Sequence, residues 1–383
     1  MSIKKVCVVI TARPSYSRIK TALKAIDQHP ALELQLVVAA SALLDRYGSA
    51  VEYIESDGFK ITEKVFTVLE GNSPTSMAKT TGIGIIELAS TFDNLRPDMV
   101  VTIADRFETI STAIATSYMN IPLVHIQGGE VTGNIDEKVR HAISKLSDLH
   151  LVSTEDAKSR LIKMGEPVDM IKVTGCPSID IAKGVIGAPD YDLYEVYGGV
   201  GPKIDPKSDY LVVMQHPVTT EFTDALQQIQ KTLTAIKELN IPTFWFWPNV
   251  DAGSDSTSNG LRTFREENPS FPIHFFKNME GEHFLKLLKD SRCLIGNSSV
   301  GIRECSYLGI PVVNIGSRQN NRLRGKNVVD VDYTVDSIVG AIKTQMNHGE
   351  YDKDELYGDG DSGDIIAQLL AEITPPIDKC ITY

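Results

Sequence analysis

Residues 293–304 read CLIGNSSVGIRE: a short apolar run, a Gly-Asn-Ser-Ser turn and what should be the first turn of a helix. The first N–H groups of a helix have no partner within it, and the helix dipole is positive there, so residues 298 to 301 favour an anion. Ser298 and Ser299 add hydroxyl donors where a diphosphate would sit, and Glu304, one turn later, is within reach of a ribose diol. A serine at a helix start is, taken alone, more often only an N-cap. Chemistry-bearing residues follow other apolar runs as well: Arg13 and Ser17 in TARPSYSR, Asp105 and Arg106 in ADRFE, Glu130 and Asp136 in QGGEVTGNIDE, His216 in QHPVTT, and Asn249 and Asp251 in WPNVDAGS. Each has a plainer reading as an ion pair, a cap or a turn. Their recurrence after one run after another points to a site. The glycine spacing is neither that of a dinucleotide fingerprint nor that of a P-loop.

The runs that precede these residues are apolar at nearly every position: 6–10, 34–39, 99–103, 123–126, 149–152 and 171–173, with helical patterns at 16–26, 110–118 and 135–146 among them. Strands without alternation suit a parallel sheet covered by helices on both faces, an α/β, Rossmann-like domain. Regular patterning breaks over 182–208, which ends in GGVGPKIDPKS and reads as a linker. Strands resume at 210–214, 243–247, 273–276, 293–295, 312–315 and 328–331. The expectation is therefore two Rossmann-like domains, 1–181 and 209–361, with a C-terminal segment, 362–383, returning to the first through an apolar helix at 365–373. Ligands of open parallel sheets bind outside the carboxyl ends of the strands, where the residues above stand.

The 383 residues, 42% hydrophobic and 23% charged, are enough for about two domains. A net charge of -12 without a basic run argues against nucleic acid and membrane surfaces as partners. The first apolar run is too short for a signal peptide and none approaches a membrane span, so a cytoplasmic location is expected. Cys7, Cys176, Cys293, Cys305 and Cys380 are odd in number and lack paired spacing, which argues against a disulfide framework and a zinc site.

Taken in order, TARPSYSR, ADRFE, HIQGGEVTGNIDEKVRHAISK, GCPSID, QHPVTT, PNVDAGSD, CLIGNSSVGIRE and NIGSRQNNR closely resemble the motifs of the UDP-N-acetylglucosamine 2-epimerase family over nearly the whole chain. The resemblance is to the hydrolysing branch that supplies sialic-acid-type biosynthesis; in non-hydrolysing enzymes the histidine segment reads more like HVEAGLRTG. It implies a GT-B-like fold, two Rossmann-like domains facing a central cleft that holds a UDP-sugar, with the C-terminal helix crossing back to the first domain. It also implies anti elimination of UDP across C1–C2 to 2-acetamidoglucal, then addition of water to give N-acetylmannosamine, with no cofactor and no metal. Such chemistry belongs to sialic acid, capsule or lipopolysaccharide biosynthesis. By position, Asp105, Glu130 and Asp136 become acid or base candidates, and His216 an acid catalyst or a hydrogen-bond partner of the diphosphate. Arg13, Ser17, Ser298 and Ser299 would hold phosphates and Glu304 the ribose. Arg106, Asn249, Asp251 and Arg318 would complete the pocket, with uracil met by backbone near Phe276. Relatives commonly form homodimers or homotetramers, the state expected here. The chain stops where the sugar-kinase domain of bifunctional animal relatives would begin, so phosphorylation of the product is not expected.

Many relatives place Glu where this chain has Gln127. An amide does not exchange a proton near neutral pH, so Gln127 can only orient substrate or water. Either Glu130 or Asp136 then takes the task, or the substrate differs. Similar enzymes act on UDP- or GDP-linked 2,4-diacetamido-2,4,6-trideoxyglucose in legionaminic acid pathways, which is the alternative substrate. A retaining glycosyltransferase on the same scaffold is the alternative of another class and would need an acceptor surface. A nucleotide-sugar sensor would have little use for so many carboxylates.

Overall fold

The computed structural model describes residues 3–44, 50–69, 73–103, 106–131, 135–248 and 253–382, the side chains of Pro74, Ile135, Asp136 and Thr219 excepted. They form two compact units, Met1–Val131, Ile135–Asp180 and Tyr357–Tyr383 in the first and Ile181–Leu356 in the second.

The first unit runs β1 (Lys4–Ile10), α1 (Arg13–Gln28), β2 (Leu32–Ala39), α2 (Ala50–Ser56), β3 (Ile61–Val65), α3 (Pro74–Leu95), β4 (Met99–Ile103), α4 (Thr109–Tyr118), β5 (Leu123–Ile126), α5 (Ile135–Leu146), β6 (Leu149–Val152), α6 (Glu155–Lys163), β7 (Ile171–Val173) and the start of α7 (Pro177–Gly184). Its 7-stranded parallel sheet has the order β3-β2-β1-β4-β5-β6-β7. Helices cover both faces, which is why β1 is apolar and buried from Val6 to Ile10. Val6, Val8 and Ile10 enter the core with Tyr16, Ile19, Leu23 and Ile26 of α1, while Cys7 and Val9 enter the opposite core with Leu88 and Phe92 of α3. Pro14, with its fixed φ and missing N–H, suits the first turn of α1.

The second unit runs α8 (Leu193–Tyr197), β8 (Leu211–Met214), α9 (Ala225–Leu239), β9 (Thr243–Phe246), α10 (Ser254–Glu267), β10 (Ile273–Phe276), α11 (Gly281–Lys289), β11 (Cys293–Gly296), α12 (Glu304–Leu308), β12 (Val312–Ile315), β13 (Val328–Val331) and α13 (Val335–His348). Its 6-stranded parallel sheet has the order β10-β9-β8-β11-β12-β13. The Gly- and Pro-rich stretch 182–208 packs on this unit: the Tyr194 hydroxyl donates to the Ile204 carbonyl at 2.7 Å, and Val200 bridges Phe275.

The last helix, α14 (Ser362–Glu372), belongs to the first unit and places Ile366, Ala367 and Leu370 in the core beside α1. Asp180 of α7 receives the first amides of α14, Ser362 N–H at 3.0 Å and Gly363 N–H at 2.8 Å, and the Thr21 hydroxyl of α1 at 2.8 Å. The approach leaves no space for a side chain at Gly363, whose Cβ would lie 2.8 Å from the Thr21 carbonyl. Among the described residues no helix is long and apolar enough to cross a membrane.

Candidate active site

In the first sheet the strand order turns between β1 and β4, and ligands of open α/β sheets bind where the loops after two such strands part. Arg13 opens α1 directly after β1, and its guanidinium lies over the Tyr53 ring at 4.4 Å. Ser17 is exposed one turn on, its hydroxyl 3.4 Å from the Arg13 carbonyl. No side chain caps α1, since the N-cap is Ala12. Arg106 follows β4 and pairs through Nε with Glu108 at 3.2 Å. Asp105 lies outside the described residues.

Gln127, at the end of β5, is fully buried and takes a φ of 64°. Its Nε2 donates to Cys176 Sγ at 3.1 Å, and its Oε1 is buried without a hydrogen-bond partner. Arg140 of α5 holds the turn that follows, donating to the Gln127 carbonyl at 3.0 Å and lying 3.4 Å from the Glu130 carboxylate. Ser153 donates to the other Glu130 oxygen at 3.0 Å. Arg140 is 0% and Glu130 5% exposed, so Glu130 is a buried carboxylate with Arg140 and Ser153 among its partners. Asp136 stands in the first turn of α5, four positions before Arg140, with its side chain outside the described set.

In the second sheet the order turns between β8 and β11. Asn297, fully buried after β11, clamps the backbone of His216 after β8: its Oδ1 accepts the His216 N–H and its Nδ2 donates to the His216 carbonyl, both at 2.8 Å. The Asn297 carbonyl accepts Arg318 Nη1 at 3.0 Å and Gln319 Nε2 at 2.8 Å, which draws in the loop after β12. His216 is 6% exposed; burial first, and the Arg318 charge second, push its pKa down to about 3. The imidazole is therefore neutral near pH 7, suited to hydrogen bonding and not to acting as a charged acid.

Ser298 and Ser299 do not begin one continuous helix. Ser298 caps a single 3-10 turn, Ser299–Gly301, and α12 starts only at Glu304, after a break at Arg303 with φ −104° and ψ −76°. Five residues carry little dipole, so any anion held here depends on local N–H and hydroxyl donors. Phe276 is 1% exposed and packed 5.8 Å from Phe244 and 4.8 Å from His274, ring to ring. Its carbonyl accepts the Trp247 N–H at 3.0 Å. Asn249 and Asp251 lie outside the described residues. Glu108, Arg140 and Asn297 organise their surroundings although none was singled out by residue type; all three lie inside the motifs ADRFE, HIQGGEVTGNIDEKVRHAISK and CLIGNSSVGIRE.

Residues 24–371 match the family model described as UDP-N-acetylglucosamine 2-epimerase. The chain is 34% identical to a Legionella pneumophila UDP-N,N'-diacetylbacillosamine 2-epimerase (hydrolyzing), with 100% of both chains covered. It is 30% identical to a Neisseria meningitidis serogroup B UDP-N-acetylglucosamine 2-epimerase, over 94% of this chain and 92% of the other. The crystal structure of UDP-GlcNAc 2-epimerase from Neisseria meningitidis bound to UDP-GlcNAc superposes with a TM-score of 0.79 at 19% identity, covering 96% of this chain and 100% of that one. That likeness shows the fold, two Rossmann-like units of GT-B-like type. The chain belongs to the UDP-N-acetylglucosamine 2-epimerase family and, within it, to the hydrolysing branch.

Proposed function

We propose that this enzyme is a hydrolysing 2-epimerase of a UDP-sugar and that its sugar is 2,4-diacetamido-2,4,6-trideoxyglucose, the diacetylbacillosamine of the Legionella relative's name. The observation that carries this reading is the 34% identity to that relative across the whole of both chains. The buried amide of Gln127 supports it, standing where many relatives place a carboxylate.

In the first step a base removes the proton at C2 while the C1–O bond breaks and UDP leaves with its electrons, giving a 2-acetamidoglycal. Water then adds at C1 and a proton at C2 from the other face, releasing the free 2-epimer. A weakly acidic C–H and a departing diphosphate call for a placed carboxylate and for anion-binding groups. Asp105 and Asp136 carry the proton transfers in this reading. Glu130, bound to Arg140 and Ser153, holds the turn, and Gln127 orients sugar or water. Arg13, Ser17, Arg106, Ser298, Ser299 and Arg318 meet the diphosphate, with neutral His216 as a hydrogen-bond partner. Glu304 meets the ribose, and Asn249, Asp251 and the backbone at Phe276 meet the rest of the nucleotide. The scheme uses neither metal nor cofactor, and the reading includes a cytoplasmic homodimer or homotetramer, as the family resemblance implies.

The second reading, hydrolysis of UDP-N-acetylglucosamine to N-acetylmannosamine, is favoured by the 30% identity to the Neisseria enzyme. Proton NMR in deuterated water, with each nucleotide sugar offered separately, decides between them. Turnover of the diacetamido sugar alone, with deuterium at C2 of the free product, is the expected result. Free N-acetylmannosamine carrying deuterium at C2 would establish the second reading. Release of UDP only when an acceptor is added would instead indicate a glycosyltransferase.

A further inference from the structure

Glu108 stands at the start of α4, where an acidic side chain ordinarily caps the helix or faces its dipole. It makes no capping bond. The carboxylate turns inward instead and is 3% exposed; its Oε1 accepts the Ser41 hydroxyl at 2.7 Å and Arg106 Nε at 3.2 Å. Ser41 belongs to the turn after β2 and sits 2.9 Å from the carbonyl of Thr11, directly after β1, while Thr11 and Thr109 pair through their hydroxyls at 3.1 Å. The carboxylate thus joins the turn after β2 to the loop after β4, and the Thr11–Thr109 hydroxyl pair and the Ala42 N–H, 3.0 Å from the Thr11 carbonyl, tie in the loop after β1. Among the described residues the other oxygen, Oε2, is buried without a hydrogen-bond partner. A buried carboxylate satisfied on one side only is costly, and helix capping does not account for it. Arg106 differs from its partner in keeping 37% of its side-chain surface. A bond to Nε sets the plane of a guanidinium, which binds carboxylates and phosphates as a planar fork.

We propose that Glu108 is a positioning residue whose buried carboxylate aims the Arg106 guanidinium at the anionic part of the nucleotide sugar. The ligand class rests on the function proposed above; the Glu108–Arg106 coupling does not. A double-mutant cycle tests it, with Glu108→Gln, Arg106→Met and the two combined, read as kcat/KM on the sugar that is turned over and as UDP affinity by calorimetry. Glu108→Gln should lower kcat/KM about tenfold in the wild-type background and less than about twofold in the Arg106→Met background, the signature of residues acting as one unit. Arg106→Lys leaves Glu108 in place and keeps the charge without the planar fork. It should fold like the wild type and lose at least about fivefold in kcat/KM. Equal fold-losses in both backgrounds by both readouts, or full activity of Arg106→Lys, would overturn the proposal; coupling in either readout supports it. A wild-type chain inactive on both sugars would sink the function reading alone, and the cycle would then be decided by UDP affinity.

Discussion

Asn297 satisfies both backbone groups of His216 with its side-chain amide and accepts Arg318 and Gln319 on its backbone carbonyl, so a single buried residue ties three strand-end loops together. Removing it orphans a buried N–H and C=O, each costing about 1–3 kcal/mol. Asn297→Ala should accordingly lose about 2–4 kcal/mol in urea unfolding and weaken UDP affinity. Unchanged UDP affinity would detach His216 from the nucleotide. In the first unit the Glu130–Arg140 pair makes the opposite kind of test. Arg140→Met strands a buried carboxylate and should cost about 3–5 kcal/mol, part of which Glu130→Gln in the same chain restores. Glu130→Gln alone should keep measurable turnover while Asp136→Asn abolishes it; a dead Glu130→Gln that still binds UDP would return Glu130 to the acid and base candidates. The strand-end positions of Arg13, His216 and Ser298 were legible in the sequence because each follows an apolar run. Glu108 and Asn297 were not, because their bonds reach partners 67 and 81 residues away.

At the scale of elements, every strand inferred from an unbroken apolar run is present, because burial on both faces leaves no polar alternation to confuse with a helix. The strand that escaped the sequence is β3, ITEKV, at the edge of the first sheet, where only Val65 is buried. An edge strand that faces solvent carries charges, as edges commonly do, and so looks like a loop. The expected helix at 298 fails for a local reason, the break at Arg303. The amphipathic C-terminal helix was visible as a pattern, but its docking on α1 depends on Asp180 and on the missing side chain at Gly363. Gly363→Ala must push α14 away from the Thr21 backbone. We expect a loss of about 1–3 kcal/mol and faster hydrogen exchange confined to α14 and its neighbours. Wild-type exchange in that variant would mean that the helix is not held there.

For the molecule as a whole, acid is the informative variable. Glu166 is fully buried; burial pushes its carboxyl up, but bonds from His150, Lys145 and Lys379 outweigh this and hold it at about 2. His150, by burial, and His216, by burial and Arg318, both sit below the ordinary histidine value of 6.5. All three bind protons more readily in the unfolded chain, so their stability is present above the unfolded values and lost as pH falls. For His216, held at about 3, the slope approaches about 1.4 kcal/mol per pH unit below about pH 6; His150 adds a loss of the same sign, and Glu166 adds its share below about pH 4.5. Urea midpoints should therefore drop steadily from pH 7 to pH 4, and His216→Gln should flatten the part that belongs to the second unit. Midpoints independent of pH over that range would show that these groups titrate normally. Fold class, two-unit layout and family were determined by the sequence itself, since hydrophobic period and strand-end motifs are local properties of the chain. Only tertiary structure decided that Glu130 is a paired anion, that His216 is neutral and that Glu108 and Asn297 organise the loops. Burial, proton affinity and hydrogen-bond partnership are properties of what surrounds a residue, and those surroundings come from distant parts of the chain.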